Sequence, residues 1–172
     1  MMRWTTRVLA AALLVLLAAL AWSTWRYARY SPADAPGRVD AAALAWFVDD
    51  YGAARRDFLS RGDALALRFR DVQRFAVPVP SRSGVQGLYV DGIHIPPQGE
   101  RAGRLLVISS GVHGVEGPAG SAVQRMLMHE FLTPELLAGP LADTGVLLLH
   151  AVNPYGFATW RRFTENNVDL NR

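Results

Sequence analysis

The stretch RLLVISSGVHGVEGPAG, residues 104–120, decides how the chain folds, because an apolar run stops there at a glycine-punctuated loop. Leu105 to Ile108 is aliphatic and nearly continuous, which suits a strand covered on both faces, and Ser109, Ser110 and Gly111 end it. Pro118 fits the first turn of a helix, for which Ala119 to Leu132 supplies the pattern. The connecting loop carries His113 and Glu116, so the spacing predicts a histidine and a carboxylate delivered to the carboxyl end of a strand. In an open sheet that end is where ligands gather.

His-x-x-Glu alone has two readings. In one, the pair supplies two ligands to a zinc ion. In the other, His113 hydrogen-bonds within the loop and Glu116 meets the favourable dipole at the helix N-terminus. The sequence after it bears on the choice. Gly145 to Val152 is a second strand, followed by Asn153-Pro154-Tyr155-Gly156, which reads as a turn, then by Arg161 and Arg162, and finally by Asn167-Val168-Asp169-Leu170-Asn171-Arg172.

These four motifs, SGVHGVEG, NPYGF, the paired arginine and NVDLNR, resemble in order and interval the zinc carboxypeptidase superfamily. From about Phe47 onward the chain is most similar to the bacterial domain of unknown function 2817. The resemblance implies zinc-dependent hydrolysis of a peptide or amide bond, with Zn2+ held by His113 and Glu116. One of Arg161 and Arg162 would steady the developing oxyanion, and Asn171 and Arg172 would recognise a substrate carboxylate by paired hydrogen bonds. Asp169 would either support His113 or cap a turn. The substrate would be a peptide or an N-acyl amino acid with a free carboxylate. The family's third zinc ligand and general base fall beyond its Asp-Leu-Asn-Arg motif, so these 172 residues are expected to be an incomplete and inactive part of such an enzyme. Two other functions compete: an N-acyl amino acid deacylase of the aspartoacylase type, and a non-catalytic, membrane-anchored binding remnant.

Composition narrows the chemistry. The chain has no cysteine, which leaves His, Asp and Glu as ligands and excludes a thiolate site. A serine hydrolase is disfavoured because no Gly-x-Ser-x-Gly elbow occurs. The formal net charge of +3 does not signal nucleic acid: Arg3, Arg7, Arg26 and Arg29 lie in the first thirty residues, and the remaining 14 arginines face 15 acids, 14 − 15 = −1.

Val8 to Trp22 is uninterrupted and apolar, flanked by Arg3 and Arg7 before it and by Trp25, Arg26, Tyr27 and Arg29 after it. Residues 1–30 therefore read as a membrane anchor through residues 8–25, or as an exported signal if cleaved after Ala21. Residues 31–39 read as a linker, and 40–172 as the domain. Asp40 is expected to cap a helix running to about Arg61 and ended by Gly62, with Arg55 and Arg56 on its solvated face. Ala64–Phe69, Arg74–Val79 and Leu88–Ile95 read as strands. His94 and His129 are expected to be structural, and His150, near the end of its strand, is a weak candidate ligand. The expected fold is α/β, with a mixed, largely parallel sheet flanked by helices on both faces, of the zinc peptidase type.

Overall fold

The structure is a computed structural model that describes residues 2–29, 41–100 and 103–172. Residues 1–40 and 41–172 form two units. In the first, α1 (Met2–Arg29) includes the segment Thr6–Arg29, whose most apolar 18 residues have a mean hydropathy of 2.2, long and apolar enough to cross a membrane. Its C-terminal end gathers interfacial side chains: Trp22 stacks on Trp25 at 5.2 Å, and the Arg29 guanidinium lies 4.6 Å from the Trp25 ring. The expected linker and Asp40 lie outside the described residues.

The second unit begins with a short α2 (Ala41–Leu44), followed after a break by α3 (Tyr51–Ala66). The expected single helix from Asp40 to Arg61 is thus two. Asp50 caps the second, accepting the Ala53 N–H at 2.6 Å. Gly62 does not end α3; it is buried where a Cβ would stand 2.6 Å from Ile93, so it permits helix–sheet contact. The helix continues to Ala66, and the expected strand at Ala64–Phe69 does not form, because Leu65 and Phe69 fill the core from helix and turn.

Four strands form one sheet in the order β1-β2-β4-β3: β1 (Gln73–Pro78), β2 (Tyr89–Ile95), β3 (Arg104–Ser109) and β4 (Thr144–His150). Only β3 and β4 are parallel, while β1–β2 and β2–β4 are antiparallel, so the sheet is mixed and not largely parallel. Nor is β3, expected to be covered on both faces, buried: it lies at the edge of the described sheet with Leu105, Leu106 and Val107 42–56% exposed, so the apolar run records neither the strand's direction nor its place in the sheet. Pro78 sits in β1, an edge strand, where the missing N–H costs no inner ladder bond.

One sheet face carries Ile93, Ile95, Val146 and Leu148 against α3 and α4 (Gly117–Met126), with Phe58 and Met128 filling the space between. Truncating a residue such as Phe58, fully buried here, to alanine costs about 3–5 kcal/mol. The opposite face presents Phe75, Val77, Leu105 and Val107, all between 44% and 56% exposed. The helices described therefore cover one face, not both. The helix after Pro118 runs on as expected almost to Leu132, its last turn, Leu127–Phe131, widening into a π turn. Two short helices complete the unit, α5 (Pro134–Ala138) and α6 (Pro154–Ala158).

Candidate functional site

The parallel strands β3 and β4 end side by side, and the loops leaving them are joined by backbone: the Val152 N–H donates to Ser110 O at 3.0 Å and Asn153 N–H to Gly111 O at 2.8 Å. The His113 loop then turns through a 3-10 segment, Gly114–Glu116, into α4. It can do so only because it presses on α6. A Cβ at Gly114 would stand 1.9 Å from the backbone carbon of Gly156, and one at Gly117 would stand 2.5 Å from the Phe157 ring. The glycines that punctuate the loop are thus the contact surface between two chain segments that together build the site.

Asn153 fixes that contact, and the sequence reading missed it by taking Asn153–Gly156 as a turn. Its side chain caps α6 by accepting the Gly156 N–H at 2.9 Å, and its amide donates to Arg162 O at 3.2 Å. Gly114 N–H donates to the same carbonyl at 3.3 Å. The backbone at Arg162 is therefore pinned beside the His113 loop. Asn followed by Pro at a helix start was the available signal.

His113 is 7% exposed and lies between two carboxylates. Nε2 stands 3.0 Å from Asp169 Oδ1, and Nδ1 stands 3.2 and 3.3 Å from the two oxygens of Glu116. Asp169 also accepts the Asn171 N–H at 3.0 Å. That N–H first, and then His113 and Arg162, hold its carboxyl below the usual range. It is therefore an ionised acceptor, and both sequence readings of Asp169, support for His113 and turn cap, describe the same carboxylate. A neutral imidazole has one proton for two acids. The Asp169 side chain is 14% exposed and that of Glu116 63%, so a proton on Nε2 would satisfy the enclosed carboxylate while solvent satisfies the other.

The Nδ1 lone pair then faces the Glu116 carboxylate, two electron pairs that a cation between them would reconcile. Two ligands about 2.1 Å from a tetrahedral zinc ion stand roughly 3.4 Å apart, close to the 3.2 Å separation of Nδ1 and Oε1. The donor set, one imidazole and one carboxylate, suits zinc, so the pair fits the ion. Among the described residues no group of three or more His, Asp or Glu side chains converges to hold a metal.

The two arginines separate. Arg162 reaches the site, with Nε 3.5 Å from Asp169 Oδ2 and Nη1 3.9 Å from Glu116 Oε1. Arg161 turns away to pair with Asn167 and lie over Tyr155. Arg172, 82% exposed, stands 3.7 Å from Asp169 Oδ2, and Asn171 meets the same carboxylate through its backbone.

The other histidines stay apart. His150 is fully buried, stacked on Phe58 at 4.7 Å and hydrogen-bonded through Nε2 to Ser121 Oγ at 3.0 Å. Burial, then the charges of Arg125 and Arg55, lower its pKa to about 4. It is a core residue. His129 packs near Trp46, and His94 lies on the open sheet face against Gly145. Arg55 is not on a solvated helix face as expected: it grips the fully buried Asp91 with two bonds of 2.6 and 2.9 Å.

Comparison with curated proteins gave no match. Among solved structures the chain is similar to a "putative metallopeptidase" from Shewanella denitrificans, with a TM-score of 0.51 and 20% identity over 70% of this chain. The match spans 39% of that protein's length. At this identity the likeness is one of fold, a metallopeptidase-like α/β architecture. The sequence profile described as "Protein of unknown function (DUF2817)" matches residues 47–172, which hold every element from α3 to α6 and every residue of the site, and the chain therefore belongs to that family.

Proposed function

We propose that this chain contributes to a zinc-dependent hydrolase of peptide or amide bonds, metallocarboxypeptidase-like, acting on a peptide or N-acyl amino acid with a free carboxylate. The observation that carries the reading is Asp169 on His113 Nε2 with Glu116 beside Nδ1. A carboxylate that orients a histidine whose other nitrogen meets a ligand-type carboxylate is the usual support of a metal-binding imidazole. His113 and Glu116 would hold the ion. Zinc bound there would polarise a carbonyl and lower the pKa of its water.

The chain's own groups do the rest. Asp169, 3.0 Å from Nε2, would take the ring proton there and leave Nδ1 to the ion. Arg162, anchored through its carbonyl, offers a guanidinium to negative charge developing beside Glu116, which makes it the better placed of the two arginines. Arg172 can exchange its long contact with Asp169 for two parallel bonds to a substrate carboxylate, with the Asn171 amide adding a donor. In the cell, residues 8–25 would anchor the domain to a membrane by a single pass.

Zinc titration of the wild-type chain and of His113→Ala and Glu116→Ala tests the reading. Weak binding by the wild type, in which two ligands stand in place, and its loss in both variants are expected; equal binding in all three would reduce the motif to a loop and a helix cap. Binding of an N-acetyl amino acid, followed by NMR, should disappear in Arg172→Ala and when the ligand's carboxylate is amidated.

A further inference from the structure

Residues 162–172 supply Arg162, Asp169, Asn171 and Arg172 from one loop, and that loop is folded back on itself. The Thr164 N–H donates to Val168 O at 3.0 Å, the Asn167 N–H to Thr164 O at 3.0 Å, and the Val168 N–H to Thr164 Oγ1 at 3.1 Å. Asn167 takes a φ of 59°, the left-handed conformation that closes the turn. One leg of the turn carries Arg162 and the other Asp169, so the two groups that flank His113 are set by the orientation of a single small turn. Its tip carries Glu165.

Glu165 reaches a turn more than eighty positions earlier in the chain, in the connection between β1 and β2. One of its oxygens accepts the Ser83 N–H at 2.5 Å and the Ser81 hydroxyl at 3.2 Å, and the other accepts the Arg82 N–H at 2.9 Å. Two backbone donors and a hydroxyl gathered on one carboxylate form an anion-holding cradle. The Ser83 side chain first, and then these donors, lower its pKa to about 2, so the contact persists across all physiological pH. Arg82 donates through its backbone here, so the cradle depends on loop geometry and not on side-chain charge. Nothing in the hydrolytic chemistry calls on Glu165.

We infer that Glu165 is a positioning residue: by holding the tip of the 164–168 turn to residues 81–83, it keeps Asp169 on His113 Nε2 and thereby keeps Nδ1 open as a metal ligand. Its connection to metal binding rests on the function proposed above, whereas its effect on His113 does not. When the tip is released, Asp169 loses its fixed approach. The single ring proton then redistributes towards Nδ1, where Glu116 accepts it, and the nitrogen that would bind the ion is blocked.

The full chain in detergent micelles, free of metal and at alkaline pH, provides the test. Ring 15N shifts of His113 report which nitrogen holds the proton, and the Ser83 amide reports whether the cradle is intact. In Glu165→Ala the Ser83 amide should move upfield and the ratio of Nε2–H to Nδ1–H forms should fall about tenfold, the equivalent of one hydrogen bond to a charged group. Glu165→Gln, which keeps one acceptor oxygen, should lie between. Leu137→Ala, a core truncation away from both loops, should lower the melting temperature and leave the ratio unchanged. A displaced Ser83 amide with an unaltered His113 ratio, in either Glu165 variant, would overturn the inference, as would an equal shift in Leu137→Ala. Zinc titration of the same samples is read separately: a wild type that binds no zinc would remove the metal reading and leave the tautomer result standing.

Discussion

Lowering the pH should destabilise the domain through His150, by an amount that follows from where the residue lies. Its pKa falls from 6.5 to about 4 because the ring is buried between Phe58 and Phe157, with Arg125 and Arg55 opposing a second charge. In the fold the imidazole stays neutral down to about pH 4, while in the unfolded chain it takes a proton below 6.5. Between those values unfolding takes up a proton, so this contribution is complete above pH 6.5 and disappears as the pH falls. The linkage gives a loss of about 2 kcal/mol by pH 5 and about 3 kcal/mol by pH 4, relative to neutrality. That is a large share of a typical domain stability of about 5–15 kcal/mol. Urea unfolding of residues 41–172, followed by the fluorescence of Trp46 and Trp160, measures it against His150→Gln, which keeps a hydrogen bond for Ser121 but does not titrate. The carboxylates with lowered pKa values are common to both proteins and cancel in the difference. The wild-type and variant stabilities should therefore converge on acidification by the stated amount. Parallel curves from pH 7 to 4, or an NMR midpoint for His150 near 6.5, would refute the reasoning.

Asp169→Asn presents His113 with an uncharged partner whose amide can turn a donor towards the ring, and should weaken zinc binding about 10 to 100-fold in titrations, with little change in the unfolding midpoint. Gly114→Ala forces a methyl group into the Gly156 backbone, so it should cost at least about 1–3 kcal/mol by urea unfolding, and a neutral result would mean that the two loops do not touch. Deleting residues 2–29 should move the expressed chain from the membrane pellet to the supernatant, as cell fractionation would show.

What was legible in the sequence were features that depend on neighbours along the chain. The run Leu105–Ile108 gave its strand, Pro118 lies in the first turn of its helix, and the apolar segment after Arg7 gave a helix long enough for a membrane. His113 and Glu116 could be paired because three positions through one turn bring them together. Contacts between distant segments left no such trace. Arg55 on a helix surface looks solvated until β2 places Asp91 beneath it, and neither Arg161 nor Arg162 announces which of them turns inward. Glu165 is one acid among polar residues, and its role exists only once the 81–83 turn is beside it. Ala64–Phe69 misled because apolar positions two apart also occur where a helix ends and a turn takes over.

The outer side of β3 has a consequence for how the protein behaves in a tube. Leu105, Leu106 and Val107 are 42–56% exposed, and the strand ends the described sheet with no proline or inward charge to guard its unpaired amides and carbonyls. Two molecules that meet along this strand can join their sheets, and such encounters scale with the square of concentration. Loss of monomer is then a kinetic matter of crowding and time, separate from the folding free energy. Two samples with the same unfolding curve, one dilute and one concentrated, should age at different rates, and a lysine at Leu106 should bring those rates together while leaving the unfolding curve nearly where it was.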